Sequence, residues 1–381
     1  MVHPNFKMTR AIGTLIGSLV GAGVFGLPFA FSQSGAAIGT AWLLLLAAMM
    51  LALFLMYAEV SIQTAGTHRL GGYAARYLGP RWNGIATVLM GLTLGGAMLA
   101  HLIVGGRFLF TFLHPFFGGG ELVYGLVLAC FVAMVTWRGT QFTVRTEGVV
   151  IGILLFLFAF AVFAAWPSFI PENLARIHWS SAFLPYGVVL FALSGLGAVP
   201  EMKDILGAQK RSLPYAIVFG LSLVVALYLV FSLSVLGVTG EQTTPAAFVG
   251  LAAVLGSSFG VISSLLGSLT VFSIFSMSSL QLQNSLHVDM RVPRAAAWAL
   301  ASFLPPLLFL AGLRGFIHVI GFVGAVFAGG IGVLVVCIYE RMRRSPVCHE
   351  HHCLNVPSPL SFLIAALFAA GIIAACAAFF F

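Results

Sequence analysis

Residues Gly17–Pro28 read GSLVGAGVFGLP, and residues Ser194–Pro200 read SGLGAVP. Each lies inside a longer apolar stretch and interrupts it near the middle with glycine and proline. A bilayer offers no water to unpaired backbone groups, so a helix broken at membrane depth must line a cavity or grip a ligand. Two such breaks, one in each half of a chain, mark the place where secondary carriers build their binding site.

The rest of the composition sets the class. Of 381 residues, 60% are hydrophobic and 7% charged, and the mean hydropathy is +1.07. Water cannot solvate the surface of such a chain, which reads as an all-α polytopic membrane protein. A span needs about 20 mostly apolar residues. Dividing the chain at its polar and Pro/Gly clusters predicts eleven spans, at 11–31, 36–62, 84–113, 121–137, 147–166, 181–205, 213–238, 247–283, 295–312, 315–339 and 359–380. The first reads as a retained helix and not a signal peptide, because no small-residue cleavage site follows a short apolar core.

With the N-terminus in the cytoplasm, fifteen of the 18 Lys and Arg residues fall in internal segments and only Arg107, Arg176 and Arg314 face the other side. That positive-inside bias supports the count of eleven and places the C-terminus outside the cytoplasm. The net charge of +8 is spread over short loops with no aromatic-interleaved patch, so nucleic acid is not an expected partner. Cys130, Cys337 and Cys376 lie in apolar spans as small core residues. Cys348 and Cys353 bracket His349, Glu350, His351 and His352 in a predicted cytoplasmic loop, whose crowded spacing suits a solvated loop better than a structural zinc site.

Internal repetition organises the spans. Leu78-Gly79, Gly84 to Gly91 and Thr93 recur as Leu255-Gly256, Gly260 to Gly267 and Thr270 at an offset of about 176, and Gly21-Ala22-Gly23 aligns with Gly195-Leu196-Gly197. The short amphipathic stretches at 72–78 and 245–255 also correspond. Five spans per copy is an odd number, so the second copy enters from the opposite side and the repeat is inverted. The expected organisation is a core over 1–345 (spans 1 to 5 within about 8–170, spans 6 to 10 within about 178–345), a cytoplasmic loop at 346–358 and a further helix at 359–381.

The runs GAGVFGLPFAF in the first span, YAEVSIQTAGTHRLGGYAARYLGP leaving the second, FALSGLGAVPEMKDIL in the sixth and FIHVIGFVGAVFAGGIGVL in the tenth carry a family resemblance. They resemble the amino-acid/polyamine/organocation superfamily, and within it the aromatic amino acid permeases and the amino acid/auxin permeases, over about residues 8 to 345. The resemblance implies a LeuT-like five-plus-five inverted repeat with discontinuous helices 1 and 6. It also implies a plasma or inner-membrane location and ion-driven uptake of an amino acid, usually by proton symport.

The chemistry of the breaks agrees without the name. An amino acid presents a carboxylate and an ammonium group, and both must be desolvated at the midplane. Unwinding at Gly21, Ala22 and Gly23, with Val24 beginning the next half-helix, would offer free amides at a positive helix end to a carboxylate. Across the cavity, carbonyls freed around Phe191, Ser194 and Gly195, within the stretch that continues through Leu196 to Gly197, would receive the ammonium. Close helix packing is the competing reading of these small residues. His101, in a stretch resembling one that faces substrate in the family, is a candidate for gating or proton carriage, with a structural histidine as the alternative. In relatives that use sodium, the eighth span offers hydroxyls to the cation, which singles out Ser263 and Ser264 with Val20; serine as packing glue is the alternative. Glu59 is expected to pair with Arg69 or a neighbouring helix, and Arg107 and Arg314 to reach the headgroups.

No cofactor is expected beyond a co-transported proton or sodium ion, and the expected partners are a neutral or aromatic amino acid and membrane lipid. The composition also leaves room for a sensor or channel on the same fold. An intramembrane protease built on Ser194 with His101 or His318 is disfavoured, since Ala192 stands where the usual glycine would be. Direct drive by ATP is disfavoured by the lack of a Walker-type loop.

Overall fold

The computed structural model describes residues 4–66, 68–137, 141–345 and 356–380. Among them every regular element is helical. The helices are α1 (Pro4–Leu19), α2 (Gly23–Ser34), α3 (Ala36–Gln63), α4 (Leu70–Leu78), α5 (Arg81–Phe117), α6 (Glu121–Trp137), α7 (Gln141–Ala165), α8 (Leu184–Ala192), α9 (Ala198–Leu206), α10 (Leu213–Thr239), α11 (Ala247–Leu255), α12 (Ser257–Asp289), α13 (Arg294–Leu310), α14 (Phe316–Phe322), α15 (Gly329–Arg343) and α16 (Ser358–Phe380). Among the described residues seven helical segments are long and apolar enough to cross a membrane, and α1 with α2 makes an eighth that is bent by 55°. Helices α6 and α13 are apolar but shorter. The CHEHHC cluster at 348–353 lies outside the described residues.

Both interruptions occur, but glycine makes them and proline does not. Val20 to Ala22 separates α1 from α2, and Leu193 to Gly197 separates α8 from α9. Pro200 is the third residue of α9, where the missing N–H would have had no helical partner. Pro28 is the sixth residue of α2, so the loss there is the bond to the Val24 carbonyl, and the helix continues through it.

The predicted span 247–283 is corrected. It is two helices, α11 and then α12, divided by Gly256 at φ 91°. A continuous apolar run hides this boundary, because α11 is as hydrophobic as the span that follows. The same device stands after α4, a helix of 9 residues like α11, where Gly79 has φ 110°. A side chain at either position would be strained, and glycine lets a short helix turn at once into a long one.

Helices α5 and α12 run antiparallel, with Phe108 over Gly267 and Gly105 against Val271. At about 1.5 Å per residue each is longer than the hydrocarbon core of a bilayer. A π-helical turn at Val323–Ala328 joins α14 to α15 and lies against α8. There the backbones touch: a Cβ on Gly324 would fall on the Gly187 carbonyl and 2.6 Å from the Phe191 nitrogen. Gly324→Ala should therefore lower the unfolding midpoint in detergent by several degrees, since overpacking a core costs about 1–3 kcal/mol. An unchanged midpoint would show that the two helices can part without penalty.

Candidate functional site

The two breaks meet. A Cβ on Gly23 would stand 2.7 Å from Ala192 Cα and 3.0 Å from the Phe191 ring, and one on Gly195 would stand 2.8 Å from Ser18 Oγ. They form the inner end of a cavity of about 720 Å³. Its walls carry Gly17, Ser18 and Gly21 from the first span, Met90, Thr93, Leu94 and His101 from α5, Phe191 to Ala198 from the second break without Ala192 and Leu193, and Ile274, Met277, Ser278 and Gln281 from α12. Phe6, Arg10, Arg69 and Glu201 line it further out, so it runs to the face on which α1 begins. Ser18 at the break is exposed, and so are Thr9, Arg10 and Glu201 along the way.

Beyond the breaks on the other side the interior is closed by aromatic rings. Phe25 packs edge-on to Phe108 at 5.2 Å and lies 5.3 Å from Phe248, while Phe231 is 4.7 Å from Phe158 and 5.6 Å from Phe248. All five are 0–1% exposed. Over them the 166–183 segment is tied to α2 and to the end of α10. His178 N–H donates to the Ser34 carbonyl at 3.0 Å, Ile170 N–H and Asn173 Nδ2 both donate to the Gly237 carbonyl at 2.9 Å, and Arg176 pairs with Glu241. The hydrogen bond and charge of Arg176 hold the Glu241 carboxyl below the usual carboxylate range. Both partners are more than half exposed, so the pair contributes more to geometry than to stability.

The backbone groups at the breaks are more fully engaged than the sequence implies. The Gly21 amide donates to the Leu19 carbonyl at 2.9 Å, and the Ala22 amide donates to His101 Nε2 at 3.3 Å. Gly23 opens α2, and its amide is one of the first-turn donors that the helix itself cannot satisfy. Val24 is buried and does not line the cavity. On the facing break, the Phe191 carbonyl accepts both the Ser194 amide at 3.1 Å and Ser194 Oγ at 2.6 Å. The Gly195 carbonyl accepts Ser18 Oγ and the Ala198 amide. None of these bonds ends on the Ser194 carbonyl. The Ser194 hydroxyl and His101 thus have other partners, and no serine–histidine pair forms.

His101 is 3% exposed and stacks on Phe275 at 6.4 Å. Val20 does not meet Ser263 and Ser264. It lies with Gly17 against Val150, Ile151 and Leu154 of α7 and Ile274 and Met277 of α12, whereas Ser263 and Ser264 are ten or more residues back along α12, roughly 15 Å away. Misplacing the start of the eighth span put those serines at its centre; in α12 they stand near one end. Glu59 accepts from Gln63 Nε2 at 2.8 Å and not from Arg69. Arg107 pairs with Glu121 at 3.0 Å, and Arg314 folds back on the Phe309 carbonyl at 3.1 Å, so neither reaches outward alone.

Tyr228 on α10 escaped the sequence reading. Its hydroxyl is buried between the breaks, 2.7 Å from the Leu19 carbonyl and 3.0 Å from the Ala192 carbonyl. One phenolic proton thereby bridges the two carbonyls that unwinding exposes on opposite helices. A tyrosine in an apolar run carries no sequence sign of this task, because its partners come from residues 209 and 36 positions away.

A helical membrane protein whose paired broken helices close round a one-sided cavity is a transporter, and the comparisons agree. The chain belongs to the tryptophan/tyrosine permease family, whose model matches residues 6–377. It is 24% identical over 369 residues to the tyrosine-specific transport system 1 of Haemophilus influenzae, covering 89% of this chain and 90% of that one. It is 25% identical over 377 residues to the tryptophan-specific transport protein of Pseudomonas aeruginosa, covering 90% and 88%. The serine/threonine exchanger SteT of Bacillus subtilis is 26% identical over 292 residues, 69% of this chain and 63% of that protein. Among solved structures, Mhp1, a nucleobase-cation-symport-1 family transporter in a closed conformation with bromovinylhydantoin bound, superposes with a TM-score of 0.66 at 13% identity, covering 96% of this chain and 89% of that one. The two share a fold. Family membership makes this chain a multi-pass membrane permease and not an enzyme.

Proposed function

We propose that the protein is a secondary active symporter that carries a neutral aromatic amino acid into the cell by alternating access. The observation that carries this reading is the meeting of the two broken helices at the inner end of a one-sided cavity. Amides at the start of α2 suit a carboxylate, the Ser194 carbonyl suits an ammonium group, and Met90, Leu94 and Ile274 make an apolar wall for a side chain. The names of the tyrosine- and tryptophan-specific relatives support an aromatic substrate.

The matched pairs α4–Gly79–α5 and α11–Gly256–α12, together with the two breaks, support the inverted five-plus-five repeat and a count of eleven spans. The charge bias supports an N-terminus in the cytoplasm, and on that reading the cavity is open inward while the phenylalanine cluster seals the outer path. A route closed on one side suits a carrier better than a channel. Outward-facing Phe163, Phe219 and Leu307 meet lipid acyl chains. Transport proceeds by rocking one helix bundle about the breaks. A proton is favoured over sodium as the coupling ion, because the side chains around Val20 are aliphatic or thioether and supply no oxygen ligand. An exchanger is the second reading, favoured by the resemblance to SteT.

Proteoliposomes given a labelled amino-acid panel, with proton and sodium gradients imposed separately, should accumulate tyrosine or tryptophan under the proton gradient. Accumulation under neither gradient would sink the symport reading, and uptake only against internal substrate would favour the exchanger.

A further inference from the structure

We propose that His101 links proton to substrate by competing with the substrate carboxylate for one donor, the Ala22 amide. This rests on the symport reading above. The Ala22 N–H donates to Nε2 at 3.3 Å. That nitrogen must therefore be unprotonated here, and the neutral ring carries its proton on Nδ1. A Cβ on Gly21 would also stand 3.3 Å from Nε2, so the imidazole occupies the space just beside the unwound backbone where a carboxylate would dock.

With His101 neutral and the site empty, the amide is satisfied. A carboxylate arriving alone must displace the ring and then faces the lone pair of Nε2. A proton arriving alone turns Nε2 into a donor aimed at another donor, and the hydrogen bond is lost. When both arrive, the Nε2–H of the imidazolium and the Ala22 N–H converge on one carboxylate, which has two oxygens to receive them. At the Ala22 amide and Nε2, the empty state and the doubly loaded state are thus each matched, and the two half-loaded states are not. Coupling of this kind is reciprocal, so acid strengthens substrate binding as much as substrate strengthens proton binding.

Among the described residues no other charged group intervenes. The first span presents Gly21 and Ala22 to the ring, and α12 presents Phe275 and Ile274. Arg107 and Glu121, between α5 and α6, are paired with each other. His318 on α14 is exposed. The charges lining the cavity, Arg10, Arg69 and Glu201, stand toward its mouth.

The test uses the full-length protein with L-tyrosine and L-tryptophan as probes, reading affinity against pH and proton uptake in weak buffer. In the wild type, affinity should rise as pH falls, with about one proton taken up per substrate bound. In His101→Gln, the side-chain amide can accept from Ala22 or donate to a carboxylate without titrating. That variant should bind more weakly than the wild type at low pH, with a flat pH profile and no proton uptake, and should lose at least tenfold in proton-driven accumulation. The methyl ester of the amino acid, which lacks the anion, should take up no proton on binding to the wild type. Proton uptake in His101→Gln, or with the ester, would overturn the proposal and leave symport standing. No uptake and no accumulation by the wild type would instead overturn the symport reading beneath it.

Discussion

Replacing Gly23 by alanine is expected to abolish substrate binding and uptake, while Gly21→Ala keeps part of both. A methyl on Gly23 meets backbone, the Cα of Ala192 at 2.7 Å, whereas one on Gly21 meets the His101 ring at 3.3 Å and the tip of Ile274 at 3.8 Å. Side-chain ends can give by a few tenths of an ångström; a helix terminus cannot do so without moving the other break. The strain of such overpacking is about 1–3 kcal/mol and falls on the two segments whose spacing defines the site. Binding should be measured by scintillation proximity with labelled tyrosine and tryptophan, and folding by size-exclusion in detergent. Wild-type affinity in Gly23→Ala would mean that the breaks need not touch.

The second large effect is expected from Tyr228→Phe. Removing the hydroxyl leaves the buried Ala192 carbonyl without its donor, while the Leu19 carbonyl keeps only the Gly21 amide. A buried polar group left unpaired costs about 1–3 kcal/mol, which at about 1.4 kcal/mol per decade is roughly fivefold to a hundredfold in affinity. The loss should appear in KM more than in the maximal rate, because the hydroxyl sets the distance between the breaks. Equal losses in both parameters, or none in either, would remove Tyr228 from this role.

These two residues show where sequence reasoning stopped. Gly23 was legible because a glycine-rich interruption in an apolar stretch has few explanations in a bilayer. Tyr228 was not, since its function is made by two carbonyls that are remote in the chain. His101 stood between these cases: an ionisable group at membrane depth announced itself, but its bond to the Ala22 amide required α5 to be packed against the first break. Serines 263 and 264 were misplaced because α11 is too apolar to be told from the span it precedes. For Glu59, of the two partners expected, Arg69 and a neighbouring helix, Arg69 was the wrong one for another reason. Its nearest donor was Gln63, one turn away on its own helix, and opposite charge in the sequence gave no measure of distance.

By itself the sequence determined the membrane class, the helical architecture and the position of both interruptions, because hydropathy and glycine content act locally and the bilayer penalises every unpaired backbone group. Tertiary structure alone decided which freed amides and carbonyls remain available. That depends on the side chains of other helices, His101, Tyr228 and Ser18, arriving at hydrogen-bond distance. It also decided that the interior is closed beyond the breaks, since five phenylalanines scattered from Phe25 to Phe248 seal it only when their helices are packed together.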